Sequence, residues 1–264
     1  MHSSCLFKHS FSKLIHPEIH KLLVKYNAWA VGGSLASIIM HAGDRDSDLR
    51  KHVNDIDIYF ETAVNETAIN DATESLTGAS PEDIIEQCYR TQCATTLYSR
   101  DSRYPPLQIL HLRSIYGIDR THWDVTNALN KFDFTAIQLG YLLDSNQLCS
   151  PSWEKALMDI AARRLILSDD VDYPISTLVR VHKYLKKGFS IAPSQLVKLA
   201  IKINQCDIST IHKLKSQLYG IDMALLEPVI RAMEVGMLKS DVKLPEDARV
   251  HFLAELDAYL SARV

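Results

Sequence analysis

No apolar run in these 264 residues reaches the roughly 18 needed to cross a bilayer, so a membrane-spanning helix is excluded on length. Residues 1–11 carry His, Ser and Lys between short apolar patches, which is not the profile of a signal peptide. Cysteine is sparse and odd in number. Cys5, Cys88, Cys93, Cys149 and Cys206 form no Cys-x-x-Cys pair, and read as free thiols in a reducing, cytoplasmic compartment. There is no internal repeat and no low-complexity tract. A basic excess is also lacking: the formal net charge is −3, against a surface coated for bulk nucleic-acid binding. No Gly-x-Ser-x-Gly nucleophile motif occurs. His16 and His20 stand four apart at metal-binding spacing, but Glu18 is at the wrong offset for a metalloprotease, so both read as surface or packing residues.

What remains is a globular composition, 47% hydrophobic and 23% charged, long enough for one large domain or two ordinary ones. Charge is unevenly spread. Residues 1–170 hold 16 Lys and Arg against 22 Asp and Glu; residues 171–264 hold 13 against 10. Arg180, Lys183, Lys186, Lys187, Lys198 and Lys202 follow one another with no carboxylate between them. Such a run is either a solvated helix face or a surface for a polyanion.

Periodicity predicts a helix over 17–26 from Ile19, Leu22, Leu23 and Tyr26. The apolar run Ala28–Val31, stopped by Gly32-Gly33, predicts a buried strand entering a tight turn, and Ser34 opens a helix to about His41. Residues 43–54 are polar and read as a surface loop, after which 55–60 alternates as a strand with one wet face. Helices are expected over 67–76, 81–89 and 121–129, and strands over 95–98, 107–112 and 132–134. Beyond Leu143 the expectation is helical: 153–162, 174–187, 193–203, 208–218, 223–235 and 247–262. The domains are accordingly set at 1–170 and 171–264, divided where Asp169, Asp170, Asp172 and Pro174 interrupt the pattern.

Chemistry concentrates in residues 28–60. Gly32 and Gly33 let backbone approach a bulky ligand, and N–H groups opening the following helix favour phosphate oxygens. The hydroxyls of Ser34 and Ser37 could add donors. Asp55 and Asp57, two apart on a strand, share a face about 6.5 Å apart, where like charges favour bound cations. Two Mg²⁺ ions, or Mn²⁺ in their place, about 3.5–4 Å apart would accept both carboxylates and clamp a triphosphate. Asp133, between Phe132 and Phe134, is the expected third carboxylate if its strand neighbours that of Asp55 and Asp57; Asp119 and Asp124 are the substitutes.

In order, Val31-Gly32-Gly33, Asp55-Ile56-Asp57, Asp133-Phe134-Thr135 and a helix containing Leu178-Val179-Arg180 that leads to Gly188-Phe189 resemble the DNA polymerase β-like nucleotidyltransferase superfamily. More narrowly they resemble the head and neck of bacterial-type CCA-adding enzymes and poly(A) polymerases. The resemblance implies an α+β fold: a nucleotidyltransferase domain with a small mixed sheet, its site on the open face, then an all-helical C-terminal domain. It implies transfer of a nucleoside monophosphate from an NTP such as ATP to an acceptor, with RNA, in particular a tRNA 3′ end, suggested by the basic run. The expected catalytic and metal residues are Asp55, Asp57 and Asp133; the expected nucleotide-binding residues are Gly32, Gly33, Ser34, Ser37, Arg180 and Lys183. Departures are specific. The spacer from Gly33 to Asp55 is long, Lys131-Phe132 stands where the family has paired arginines, Ile137 replaces an Asn, and Thr177 falls at a base-reading Arg. Specificity for CCA addition therefore does not follow. A non-catalytic nucleotide- or RNA-binding regulator, and transfer to proteins or small molecules in a toxin-like role, stay open.

Overall fold

The computed structural model describes residues 2–41, 48–60, 84–90, 94–111 and 124–218. By packing, the chain divides into Met1–Asp170 and Val171–Val264. The expected helices over 67–76, 223–235 and 247–262, and Asp119, lie outside the described residues.

The first unit begins with helices α1 (His2–Leu14) and α2 (Pro17–Lys25). Pro17 opens α2, and His16 caps it by accepting from the Glu18 N–H at 3.3 Å, which accounts for one of the two spaced histidines. Strand β1 (Ala28–Val31) is buried at every position and passes through Gly32 into α3 (Gly33–His41). There follow β2 (Ile56–Phe60), β3 (Ile85–Arg90), β4 (Ala94–Ser99), β5 (Leu107–Leu110), α4 (Val125–Asn130), β6 (Gly140–Leu142), β7 (Gln147–Cys149) and α5 (Trp153–Ala161).

The strands form one seven-stranded sheet in the order β3-β4-β5-β2-β1-β6-β7. It is mixed, as expected, though larger. β2 runs parallel to β5 and every other pairing is antiparallel. The fold is α+β. One face carries Ala30, Ile58 and Tyr141, all buried; Phe7 and Phe11 of α1 stack on the Tyr141 ring at 5.7 and 5.1 Å. Burial pushes the Tyr141 phenol up to about 12, and its hydroxyl donates to Asn146 at 2.6 Å. The opposite face joins Trp29, Val31 and Tyr59 to Val125, Ala128 and Leu129 of α4. Helix α3 packs against β1, β2 and α5. The core is therefore layered on both sides of β1 and β2.

Three expectations are corrected. Residues 85–90 form a strand, not part of a helix over 81–89, because the hairpin pairing with β4 satisfies their backbone. Residues 132–134 do not form a sheet strand: Phe134 makes a single bridge to Leu167, and a 3₁₀ turn, Thr135–Ile137, follows at once. Beyond Leu143 the chain is not uniformly helical, since the β6–β7 hairpin closes around Asn146 with φ 58°. Helix α1 went unread in the sequence.

In the second unit the described elements are α6 (Pro174–Lys186), α7 (Pro193–Asn204), α8 (Ile211–Gln217) and a two-residue strand, Ser190–Ile191. α6 ends at Gly188, φ 84°, whose N–H donates to Leu185 O while that of Phe189 returns to Tyr184 O at 3.1 Å. The Phe189 ring meets that of Tyr184 edge-on, closing the helix end with an apolar contact.

Candidate functional site

The register of β1 on β2 brings the glycine turn to the acidic strand. Val31 is paired with Asp57, so Gly32, the next residue, lies beside that carboxylate. A methyl group on Gly32 would stand 3.1 Å from Asp57 Oδ2 and 2.8 Å from Phe132 Cε1. Its φ of 82° is open to glycine and strained for other residues. The turn is held from behind: Gly32 N–H donates to Leu139 O at 2.9 Å, and Gly32 O accepts from Leu35 N–H at 3.2 Å.

Ser34 follows in the first turn of α3. It is buried, and its Oγ has no hydrogen-bond partner among the described residues. A buried hydroxyl without a partner is costly, and here it lies where the first N–H groups of a helix also lack intrahelical acceptors. Ser37, one turn on, is buried too, but its hydroxyl donates to Gly33 O at 3.1 Å and so braces the turn.

Asp57 lies within β2 and Asp55 just before it; both are half-buried, while Ile56 and Ile58 between and beyond them are fully buried. Alternation puts the two carboxylates on one face. Like charges that share a face repel, and a divalent cation held by both relieves that repulsion. The same face continues across the sheet, because Asp57 is paired with Gln108 of β5, and Gln108 with Thr96 of β4.

Asp133 does not reach this row on a neighbouring strand. The neighbours of β2 are β1 and β5, whereas Asp133 is buried in the segment laced to 166–168, its carbonyl accepting from Ser168 N–H at 2.8 Å and Thr135 N–H donating to Ile166 O. Asp124 caps α4, accepting from Asn127 N–H at 2.9 Å. Among the described residues no three His, Cys, Asp or Glu side chains converge as a metal cluster. Phe132 was not anticipated as a site residue, yet its ring covers the glycine turn; the only signal was its place before Asp133-Phe134-Thr135. Beside it, Lys131 pairs with Asp170. Arg180 and Lys183 stand one turn apart on α6, and Lys198 and Lys202 one turn apart on α7, all in the second unit.

The donor set suits a divalent cation with a polyphosphate: hard carboxylate oxygens on one side, a glycine turn that no Cβ could enter and a buried hydroxyl without a partner on the other. A strand, a glycine turn, a helix and a paired Asp-x-Asp strand build this site in an α+β protein with a mixed sheet. The chain belongs to the Gabija anti-defense 2 family, whose model matches residues 5–163. Gabija anti-defense 2 of Bacillus phage SPbetaL7 is 22% identical over 204 residues, covering 77% of this chain and 44% of that protein, so the chain spans under half the length of that relative. Solved structures similar to it include the Thermotoga maritima CCA-adding enzyme complexed with tRNA, at 12% identity and TM-score 0.48, covering 86% of this chain and 54% of that one. A tRNA-processing enzyme in its apo form I matches at 14% identity and TM-score 0.49, over 93% and 74% of the two chains. No described helix is long and apolar enough to cross a membrane.

Proposed function

We propose that the first unit binds a nucleoside triphosphate with its divalent cations between the Gly32–Gly33–Ser34 turn and Asp55 and Asp57, and transfers the nucleotidyl group to an acceptor. The observation carrying this reading is the proximity of Asp57 Oδ2 to Gly32. Backbone N–H groups opening α3, with the Ser34 hydroxyl, donate to phosphate oxygens. Asp55 and Asp57 hold the cation and orient the triphosphate from the opposite side. Mg²⁺, or Mn²⁺ in its place, supplies the charge neutralisation that pyrophosphate needs as a leaving group. Ser37 keeps the turn in shape. Arg180 and Lys183 belong to the second unit, whose basic run to Lys202 supports RNA as the acceptor. In this reading the chain works in the cytoplasm, and its family supports a role against the defence called Gabija.

The test uses purified chain, Mg²⁺, labelled NTPs and total RNA. Label entering RNA in an Asp55- and Asp57-dependent way is the expected result; label entering protein or a small molecule moves the acceptor elsewhere, and no label in any fraction despite bound nucleotide ends the case for transfer. A second reading, capture of nucleotide without transfer, is favoured by the Phe132 ring over the turn, where the resembling family has an arginine. It expects thermal stabilisation by Mg²⁺ and NTP with no labelled product.

A further inference from the structure

We infer that Gln108 leaves the site one carboxylate short, so that the protein holds one divalent ion firmly and a second only weakly until an acceptor is in place. This rests on the reading of Asp55 and Asp57 as cation ligands. The sheet register carries it. Gln108 is the residue paired with Asp57 on the parallel neighbour β5, and Cα partners on adjacent strands present their side chains to the same face about 4.8 Å apart. Burial agrees: Leu107 and Ile109 are buried, while Gln108 is partly open, in phase with Asp57 between Ile56 and Ile58. The row then runs to Thr96. Its members Val31, Asp57, Gln108 and Thr96 hold a single carboxylate, joined on the same face by Asp55.

The charge count follows. A cation that arrives with a triphosphate is neutralised largely by phosphate oxygens and needs few protein charges. A second ion, standing on the acceptor side, must draw its neutralising charge from protein carboxylates. At Gln108 it meets an amide oxygen, which can ligate a hard cation but brings no charge and attracts it far less. Gln108 thereby makes occupancy of that second position conditional on the acceptor.

The test is Mn²⁺ binding to the full chain, held in excess over a non-hydrolysable triphosphate, read by electron paramagnetic resonance or calorimetry, for wild type, Gln108→Glu, Gln108→Asp and Gln108→Ala. The glutamate variant is expected to tighten the Mn²⁺ Kd by about tenfold or more and to raise the bound ions from one to two; the alanine variant should gain nothing. The aspartate variant covers the case in which the longer side chain disturbs folding, and circular dichroism checks all four. A wild type that already binds two ions, or folded carboxylate variants that bind Mn²⁺ no better than wild type, overturns the inference. If wild type still binds Mn²⁺ with a non-hydrolysable triphosphate in that case, the proposed function stands without it. Failure of every protein to bind Mn²⁺ overturns both.

Discussion

Gly32 and the carboxylate of Asp57 are so close that a Cβ on Gly32 would stand 3.1 Å from Oδ2, tighter than an ordinary contact. The contact arises from pairing of Val31 with Asp57, which sets the turn at the level of the acidic strand. It makes the glycine a requirement of the site as well as of the backbone.

Gly32→Ala is therefore expected to cost about 1–2 kcal/mol from the left-handed φ, with more from contact against Phe132 Cε1 at 2.8 Å. Urea unfolding would show this as a lower midpoint with an unchanged slope. Combining it with Phe132→Ala should recover part of the loss, since the ring is the harder of the two obstacles. Equal destabilisation in the single and double variants would mean that the ring does not constrain the turn.

Ser34→Ala should change sign with ligand. In the free protein it removes a buried hydroxyl that has no partner, so stability should hold or rise slightly. With Mg²⁺ and a non-hydrolysable triphosphate it should weaken binding about tenfold, the value of one lost hydrogen bond to a charged group. Loss of stability in the free protein would show that Ser34 already has a partner.

Much of the site's scaffold was legible, and the reasons are local. Ala28–Val31 was bounded by an apolar run and Gly32-Gly33, and the alternation Asp55-Ile56-Asp57-Ile58 gave the next strand. Which strands neighbour one another is a long-range fact that no spacing encodes. Gln108 stood within an expected strand, but nothing marked it as the residue opposite Asp57. Asp133 was misplaced for a related reason. A three-residue apolar–polar–apolar run fits a strand and a bend equally, and the hydrogen bonds to 166–168 decide it. At 81–89 the spacing of Ile85 and Tyr89 suits a helix, and only the β4 partner tips it to a strand. In α1, Phe7, Phe11 and Leu14 were spaced for a helix, but the Tyr141 ring that buries the two phenylalanines is over a hundred residues away.

Asp159 ties the Asp133–Phe134–Thr135 segment to α5. Its side chain is 3% exposed, accepts from the Thr135 hydroxyl and pairs with Arg164 at 2.5 Å. Asp159→Ala should cost about 2–4 kcal/mol by leaving Thr135 and Arg164 without their acceptor. Asp159→Asn, which keeps an acceptor oxygen, should lose less. Chemical denaturation of the three proteins checks the order.

His20 gives the first unit a pH dependence. Burial, and secondarily the charge of Lys8, lowers its pKa from the ordinary 6.5. The unfolded chain then binds more protons than the folded one near that pH, so stability rises with pH. This contribution is complete above about 6.5 and is lost as pH falls through the lower folded value. Melting temperatures measured from pH 5 to 8 should rise over this range in wild type, and less steeply in His20→Asn. An identical slope in both would remove His20 as the cause.

Asp57→Asn separates the structural from the binding role of the acidic strand. Without metal the variant should still fold, because the amide keeps the shape of the carboxylate and one acceptor oxygen. With Mg²⁺ and a non-hydrolysable triphosphate at about one hundred times Kd, wild type should gain about 2.7 kcal/mol. The variant should gain little, since its amide contributes no charge to the cation beside the Gly32 turn. Asp55→Asn should behave alike but more weakly: it lies just before β2, whereas Asp57 is the carboxylate that touches the turn. Differential scanning fluorimetry with and without ligand reads all three proteins, and equal stabilisation of wild type and Asp57→Asn would place the triphosphate somewhere other than this strand.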